Sequence, residues 1–98
     1  MELHRLPGDI SIEAPFPVEI PVSADGKKLR VAIEWPVIEH FLGPRAAIEN
    51  DVREMLQERR EQIVRIVKAH LFAHGFPVDG TVTLEVDDFR HPGTEPPS

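Results

Sequence analysis

Two histidines near the end of a predicted helix have a spacing that suits metal binding. His70 and His74 lie four positions apart in KAHLFAHG and therefore share one helix face. Two such imidazoles can bind Zn²⁺ if His40, Asp88 or His91 supplies a third ligand. The glutamate of the HExxH metalloprotease motif is missing, because this segment reads HLFAH. Histidine near a helix C-terminus also interacts favourably with the helix dipole, and we favour that structural interpretation.

One arginine interrupts an apolar helical stripe. Arg59 falls between Met55 and Ile63, where a guanidinium must form an ion pair or reach water. It can clamp a ligand's carboxylate, pair with an acidic residue across a subunit interface, or extend past the edge of a sheet into solvent. We expect the architectural role, and we assign Arg59, Met55 and Ile63 to a predicted interaction surface.

Acidic residues cluster where a predicted strand ends. Glu85, Asp87 and Asp88 could exchange protons with a substrate or hold Mg²⁺. Acidic strand ends are common, so this remains a minor hypothesis. Basic residues of the long helix alternate with glutamates, and the net charge is -6. We therefore predict no nucleic-acid partner and no membrane partner.

The composition indicates one small domain and excludes several kinds of chemistry. The chain has 98 residues and no cysteine, which rules out a disulfide framework, a thiolate metal site and a cysteine nucleophile. No phosphate-binding glycine loop or serine nucleophile elbow is present. The N-terminal residues do not resemble a signal peptide, and no apolar run reaches the roughly 20 residues of a membrane-spanning helix. We expect a soluble cytoplasmic protein.

Apolar and polar residues alternate on both sides of Asp25-Gly26, in FPVEIPVSADGKKLRVAIEW. Period two is typical of strands, and Asp-Gly favours a two-residue type I′ turn. Such a turn places both apolar sets on one face of a β-hairpin. The predicted cross-strand pairs are Ala24 with Lys27, Val22 with Leu29, Ile20 with Val31, Val18 with Ile33 and Phe16 with Trp35.

Prolines indicate that the first hairpin strand is an edge. Pro15, Pro17 and Pro21 fall where the backbone nitrogen points away from the second strand. Because proline has no N–H to donate, we expect no further strand on that side. The segment GTVTLEVDDF is therefore expected to pair beside residues 28–35. Residues 2–12, in the region of DISIEA, offer a further short strand.

Two helices are predicted between the hairpin and the last strand. PVIEHFLG, residues 36–43, begins with a proline and ends at a glycine. Residues 44–75 follow, and about 30 residues at 1.5 Å each give a helix of roughly 45 Å. A strand of seven or eight residues spans only about 25 Å. The long helix therefore either breaks in its charged middle, QERREQ, or overhangs the sheet and packs against a partner. We expect a homodimer.

These elements predict an α+β fold. The sheet is small, three-stranded with an optional fourth strand, and mainly antiparallel, with an N-terminal β-hairpin. A short and a long helix cover one face, and the final strand follows the long helix. Residues 1–89 are predicted to form the single domain, and residues 90–98, RHPGTEPPS, a disordered tail.

The segments FPVEIPVSADGKKLRVAI, IEHFLG, a charged helix and VTLEVDDF follow one another in a recognisable order. This order resembles domain-of-unknown-function family 1488, a family of small bacterial proteins, over about residues 12–89. The shared motifs are the hairpin glycine, the Phe-Leu-Gly helix stop and the terminal Asp-Phe. The resemblance implies an α+β fold without an established activity, and it assigns no functional residue.

The predicted function is protein–protein contact by a small, non-enzymatic homodimer with an unidentified protein partner. The alternative is a small metal-binding protein or enzyme that uses His70 and His74 near the end of the long helix. We expect no cofactor, and zinc at His70 and His74 belongs to the alternative.

Overall fold

The chain folds into a four-stranded mixed sheet with helices that share its core. The structure, a computed structural model, describes residues 2–6 and 10–90. The strands are β1 (Leu3–Arg5), β2 (Val18–Ala24), β3 (Lys27–Ile33) and β4 (Thr81–Leu84), in the order β1-β2-β3-β4. The helices are α1 (Trp35–Leu42), α2 (Glu49–Glu58), α3 (Arg60–His74) and α4 (Val86–Arg90), and a 3₁₀ segment (Gly43–Ala47) joins α1 to α2. The predicted α+β fold is confirmed, with its hairpin and its final strand after the helices.

The β2–β3 hairpin has the predicted register. Ala24 lies opposite Lys27 across the turn, and Val18 lies opposite Ile33 at the far end. Asp25 has φ 51° and Gly26 has φ 82°, and a type I′ turn requires positive φ at both positions. The alternating apolar residues therefore share one face, which is the face that packs against the helices.

The predicted pairing of Phe16 with Trp35 is wrong. The Phe16 N–H donates to the Glu13 carbonyl at 2.9 Å, which forms a turn before β2 begins, and the Phe16 side chain is 60% exposed. Trp35 is buried as predicted, but it is the first residue of α1 and not a strand residue. The alternation that starts at Phe16 therefore becomes a strand only from Val18.

The predicted free edge of β2 is also wrong. Strand β1 pairs antiparallel with its second half, with Leu3 opposite Ala24 and Arg5 opposite Val22. Pro21 does not prevent this pairing, because proline lacks only the donor. Its carbonyl still accepts a hydrogen bond from the Leu6 N–H at 3.0 Å. The fourth strand, Leu3–Arg5, lies within the predicted range of residues 2–12, although the DISIEA segment forms no strand in its described part.

Strand β4 pairs with β3 as predicted, and the pairing is parallel. The strand is shorter than its alternating sequence suggests, because it ends at Leu84 and α4 begins at Val86. The Asp88 carboxylate accepts the Glu85 N–H at 2.8 Å, which caps this helix from its first turn. The predicted disordered tail begins at Arg90, the last residue of α4, and its remaining residues lie outside the described part of the chain.

The long helix breaks in its charged middle. Between α2 and α3, Arg59 has φ -101° and ψ 15°, so the first of the two predicted alternatives is confirmed. The 15 residues of α3 extend about 22 Å, which is close to the roughly 23 Å of a seven-residue strand. The break therefore removes the length mismatch that suggested an overhang, and the homodimer stays a prediction. The apolar stripe predicted on the long helix includes Ile48. In the structure Ile48 precedes α2 and is 51% exposed, so it is not part of the buried face of that helix.

Fully buried side chains from three strands meet at the end of the sheet that adjoins α1. Ile33 of β3 lies opposite Val18 of β2 and opposite Leu84 of β4, and all three are 0% exposed. The helices contribute Val52, Val67 and Leu71 to the same core. Within the described residues, no helix combines the length and the apolar character needed to cross a lipid bilayer.

Candidate functional site

The two histidines lie on α3, as the sequence predicts, but among the described residues only His70 has a carboxylate partner. The ring centroids of His70 and His74 are 6.1 Å apart. His70 Nε2 lies 3.0 Å from Asp88 Oδ1, and both side chains are mostly buried. Among the described residues, no cluster of three or more histidine, aspartate or glutamate side chains could hold a metal ion. His91, one of the predicted third ligands, lies outside that part of the chain.

Asp88 connects the end of α3 to the start of α4. One carboxylate oxygen faces His70, and the other accepts the Glu85 N–H. Both oxygens of this carboxylate are thus occupied by bonds that hold helices in place. The acidic cluster predicted at the strand end therefore contains one structural residue, Asp88, with Glu85 and Asp87 exposed beside it.

Removing the His70 side chain should therefore weaken the contact between α3 and α4. We expect His70→Ala to lower the free energy of unfolding by about 1 kcal/mol, because a partly buried hydrogen bond is lost. The matched control is His74→Ala, which removes an exposed imidazole one helical turn away. Urea denaturation followed by circular dichroism measures both variants. Equal effects of the two substitutions would contradict the role assigned to His70.

The same two histidines border a shallow groove of about 140 Å³ between the end of α3 and β4. Even-numbered β4 residues bond to β3, since Arg30 N–H donates to the Gly80 carbonyl and Glu34 N–H to the Leu84 carbonyl. The backbone N–H and C=O groups of the odd-numbered β4 residues therefore point away from β3, toward the free edge of the sheet. Two of their N–H groups already donate to aspartates, Thr81 to Asp79 at 3.0 Å and Glu85 to Asp88 at 2.8 Å. These bonds leave little of the edge for strand addition.

Arg59 stacks on an aromatic ring. Its guanidinium carbon lies 3.9 Å from the centroid of the Phe41 ring. Within residues 2–6 and 10–90 it forms no ion pair, and its buried Nε atom has no hydrogen-bond partner. Met55 and Ile63, which the sequence assigned to an interaction surface with Arg59, are only 5% and 7% exposed in the core of this chain. Ile63 therefore offers no surface to a partner protein, and Met55 reaches the surface only where it lines the cleft between α1 and α2.

Arg59 lines a second cleft, of about 200 Å³, between α1 and α2. Arg45 donates from Nε to Asp51 Oδ2 at 3.1 Å at the rim of this cleft. This hydrogen bond, together with the negative charge of Asp51, raises the pKa of Arg45 above its usual value. The residues around the cleft are Phe41, Leu42, Arg45, Asp51, Glu54, Met55, Glu58 and Arg59.

An exposed apolar stripe on the outer side of α3 was not predicted. Phe72 is 92% exposed, and the alanines at positions 69 and 73 on the same face are also exposed. Phe76, 38% exposed, follows the helix end at Gly75, and its ring centroid lies 4.7 Å from Lys27 Nζ. Val78 is fully exposed nearby in sequence. The spacing i, i+3, i+4, i+7 from Ala69 to Phe76 could have revealed this second apolar face. We call Ala69, Phe72, Ala73 and Phe76 the outer stripe.

No family model, no curated protein and no solved structure matches the chain. The resemblance to domain-of-unknown-function family 1488 stays a prediction from the sequence motifs.

Proposed function

We propose that the chain is a small, non-enzymatic module that makes protein–protein contacts as a homodimer, through the outer stripe of α3. The observation that carries the proposal is Phe72, which is 92% exposed in the middle of that stripe. Burying a phenylalanine side chain is worth about 1.5–3 kcal/mol, so this ring gains substantially from a partner surface. His70 and Asp88, which were candidates for a metal site, bond to each other and hold α3 to α4, which favours contact over catalysis.

The shape of the outer stripe suits a second copy of the same helix. A large ring, Phe72, stands beside the two small side chains of Ala69 and Ala73. When two such helices pack antiparallel about a two-fold axis near Phe72, each ring can lie over the alanines of the other copy. Small residues permit the close helix approach that this arrangement needs, so the surface is self-complementary.

The dimer should be weak, because the stripe is small. Stable interfaces bury roughly 800 Å² on each partner, and two phenylalanines with two alanines supply only part of that area. We therefore expect a dissociation constant on the order of micromolar. The net charge of -6 on each chain opposes association, and salt screens this repulsion. Raising the salt concentration should consequently strengthen the dimer.

Analytical ultracentrifugation over a range of protein concentrations tests this proposal. The wild-type chain should shift from its 11.1 kDa monomer mass toward twice that mass as concentration rises. We expect Phe72→Ser to weaken association at least about tenfold, since most of a buried phenylalanine's free energy is lost. The matched control is Phe16→Ser, which removes another exposed ring outside the stripe. A wild-type chain that stays monomeric, or a control that dissociates equally, would refute the proposal.

Two further parts of the proposal concern the setting of the protein. We place it in the cytoplasm. We also propose membership in the bacterial family 1488, on the hairpin glycine and the Phe-Leu-Gly helix stop. Both motifs have the predicted structural roles, at Gly26 in the turn and at Gly43 after α1.

A further inference from the structure

Arg59 is placed where it lowers stability. The guanidinium Nε is buried without a hydrogen-bond partner, and an unsatisfied buried donor costs free energy. An apolar side chain of similar size would fill the same space between Phe41 and Met55 without that penalty. Residues that break a packing rule in this way are expected at functional positions.

Aromatic side chains support the inner side of the cleft around Arg59. The Phe41 ring lies under the guanidinium, and it packs edge-on against the buried Phe89 ring at 5.4 Å. This support fixes the plane of the guanidinium at the cleft wall. A pre-positioned guanidinium loses little conformational entropy when it binds a carboxylate, because its donors already have the required geometry.

The charges that line the cleft are unevenly paired. Arg45 is engaged by Asp51, whereas Arg59 forms no ion pair with any described residue. Glu54 and Glu58, on the same wall of α2, are also without an ion-pair partner in the described part of the chain. At longer range, Glu54 and Glu58 also contribute to the raised pKa of Arg45. The cleft thus offers one cation and two carboxylates that form no close ion pair within the described residues, beside the apolar side chains of Leu42 and Met55.

We propose that this cleft binds a small zwitterion of the amino-acid class with an apolar side chain. The ligand carboxylate would bind the terminal nitrogens of Arg59, and its ammonium group would bind Glu54 or Glu58. The apolar side chain would pack against Leu42 and Met55. A volume of about 200 Å³ is smaller than the pockets of drug-sized ligands and suits a compound of this size.

The carboxylates of the cleft argue against other anions. Asp51, Glu54 and Glu58 outnumber the two arginines, so a dianion such as phosphate meets net repulsion. A ligand with one negative and one positive group has no such penalty. This site lies at the α1–α2 side of the molecule, on residues separate from the outer stripe of α3, and it does not depend on the proposed dimer.

Titration of the ¹⁵N-labelled wild-type chain with three probes of one shape tests this proposal. Leucine carries both charges, leucine amide carries only the cation, and 4-methylpentanoate carries only the anion. We expect leucine at millimolar concentration to shift the amide signals of residues around the cleft. Each singly charged probe, and inorganic phosphate, should bind about five- to tenfold more weakly. Equal shifts from all probes, or no shift with leucine, would overturn the proposal.

Two methionine variants separate binding from folding. Arg59→Met should lose leucine binding at least about fivefold, with a melting temperature equal to or above that of the wild type. The matched control, Arg60→Met, removes the exposed neighbouring charge and should keep wild-type affinity. Retained affinity in Arg59→Met would contradict the proposed site. If that variant does not fold, the comparison of probes on the wild-type chain still decides the question.

Discussion

Replacement of Ile33 by alanine should lower the free energy of unfolding by about 2–5 kcal/mol. Ile33 is 0% exposed on the central strand β3, between Val18 and Leu84 on the neighbouring strands. The substitution removes buried carbon atoms and leaves a cavity. Because hydrogen bonds fix the spacing of the three strands, the strands cannot move together to fill it. Urea denaturation followed by circular dichroism measures the effect.

A smaller truncation at the same position provides the control. Ile33→Val removes one methylene group and should reduce stability by about 0.5–1.5 kcal/mol. Comparison of the two variants shows whether the loss of stability increases with the buried volume that is removed at position 33. An alanine variant no less stable than the valine variant would show that Ile33 is not at the centre of the core.

Phe89→Ala should have an effect of similar or larger size, about 3–5 kcal/mol. Phe89 is 6% exposed, and its ring meets the Phe41 ring at 5.4 Å with an interplanar angle of 81°. It is the buried anchor of α4, a helix with only five residues. Its loss should release α4 from α1 and leave Phe41 without support beneath Arg59.

Hydrogen exchange and urea denaturation together measure this second effect. We expect faster exchange of the α1 and α4 amides in Phe89→Ala, and most of the stability should return in Phe89→Leu, which keeps the apolar contact. Phe16→Ala removes a 60% exposed ring and should change stability by less than about 0.5 kcal/mol. A Phe89→Ala variant as stable as Phe16→Ala would mean that α4 does not pack on the core.

The hairpin could be predicted from sequence because two local signals agree there. The Asp25-Gly26 turn and the period-two pattern each specify a register, and both specify the observed one. The short helix α1 and its stop at Gly43 were predictable for the same reason, since proline, apolar spacing and glycine coincide. Agreement between independent local signals made these predictions correct.

Tertiary contacts decided the features that the sequence predicted wrongly. The prediction of a free edge relied on the N–H donor that proline lacks. The pairing with β1 uses the Pro21 carbonyl as an acceptor instead, and a proline in the sequence does not exclude that bond. Val86 continues the alternation of β4, yet the strand ends before it, because the Glu85 N–H donates a capping bond to the Asp88 carboxylate. The break at Arg59 involves neither proline nor glycine, so only the length mismatch between helix and sheet indicated it.

The candidate sites were predictable in part. The sequence placed His70 and His74 on one helix face, but it gave no sign that Asp88 would bond His70 rather than complete a metal site. It singled out Arg59 as a misplaced charge, and it could not show that Phe41 would stack on the guanidinium. The outer stripe was visible in the spacing of Ala69, Phe72, Ala73 and Phe76, next to the stronger stripe of the core.

Isotope-filtered NMR on a mixture of labelled and unlabelled chains tests the α3 dimer most directly. Nuclear Overhauser effects that pass from one copy to another report only contacts between chains. We predict such signals between the Phe72 ring of one copy and the methyl groups of Ala69 and Ala73 of the other. Cross-chain signals confined to other residues, or none at concentrations where the protein sediments as a dimer, would contradict an interface on the outer face of α3.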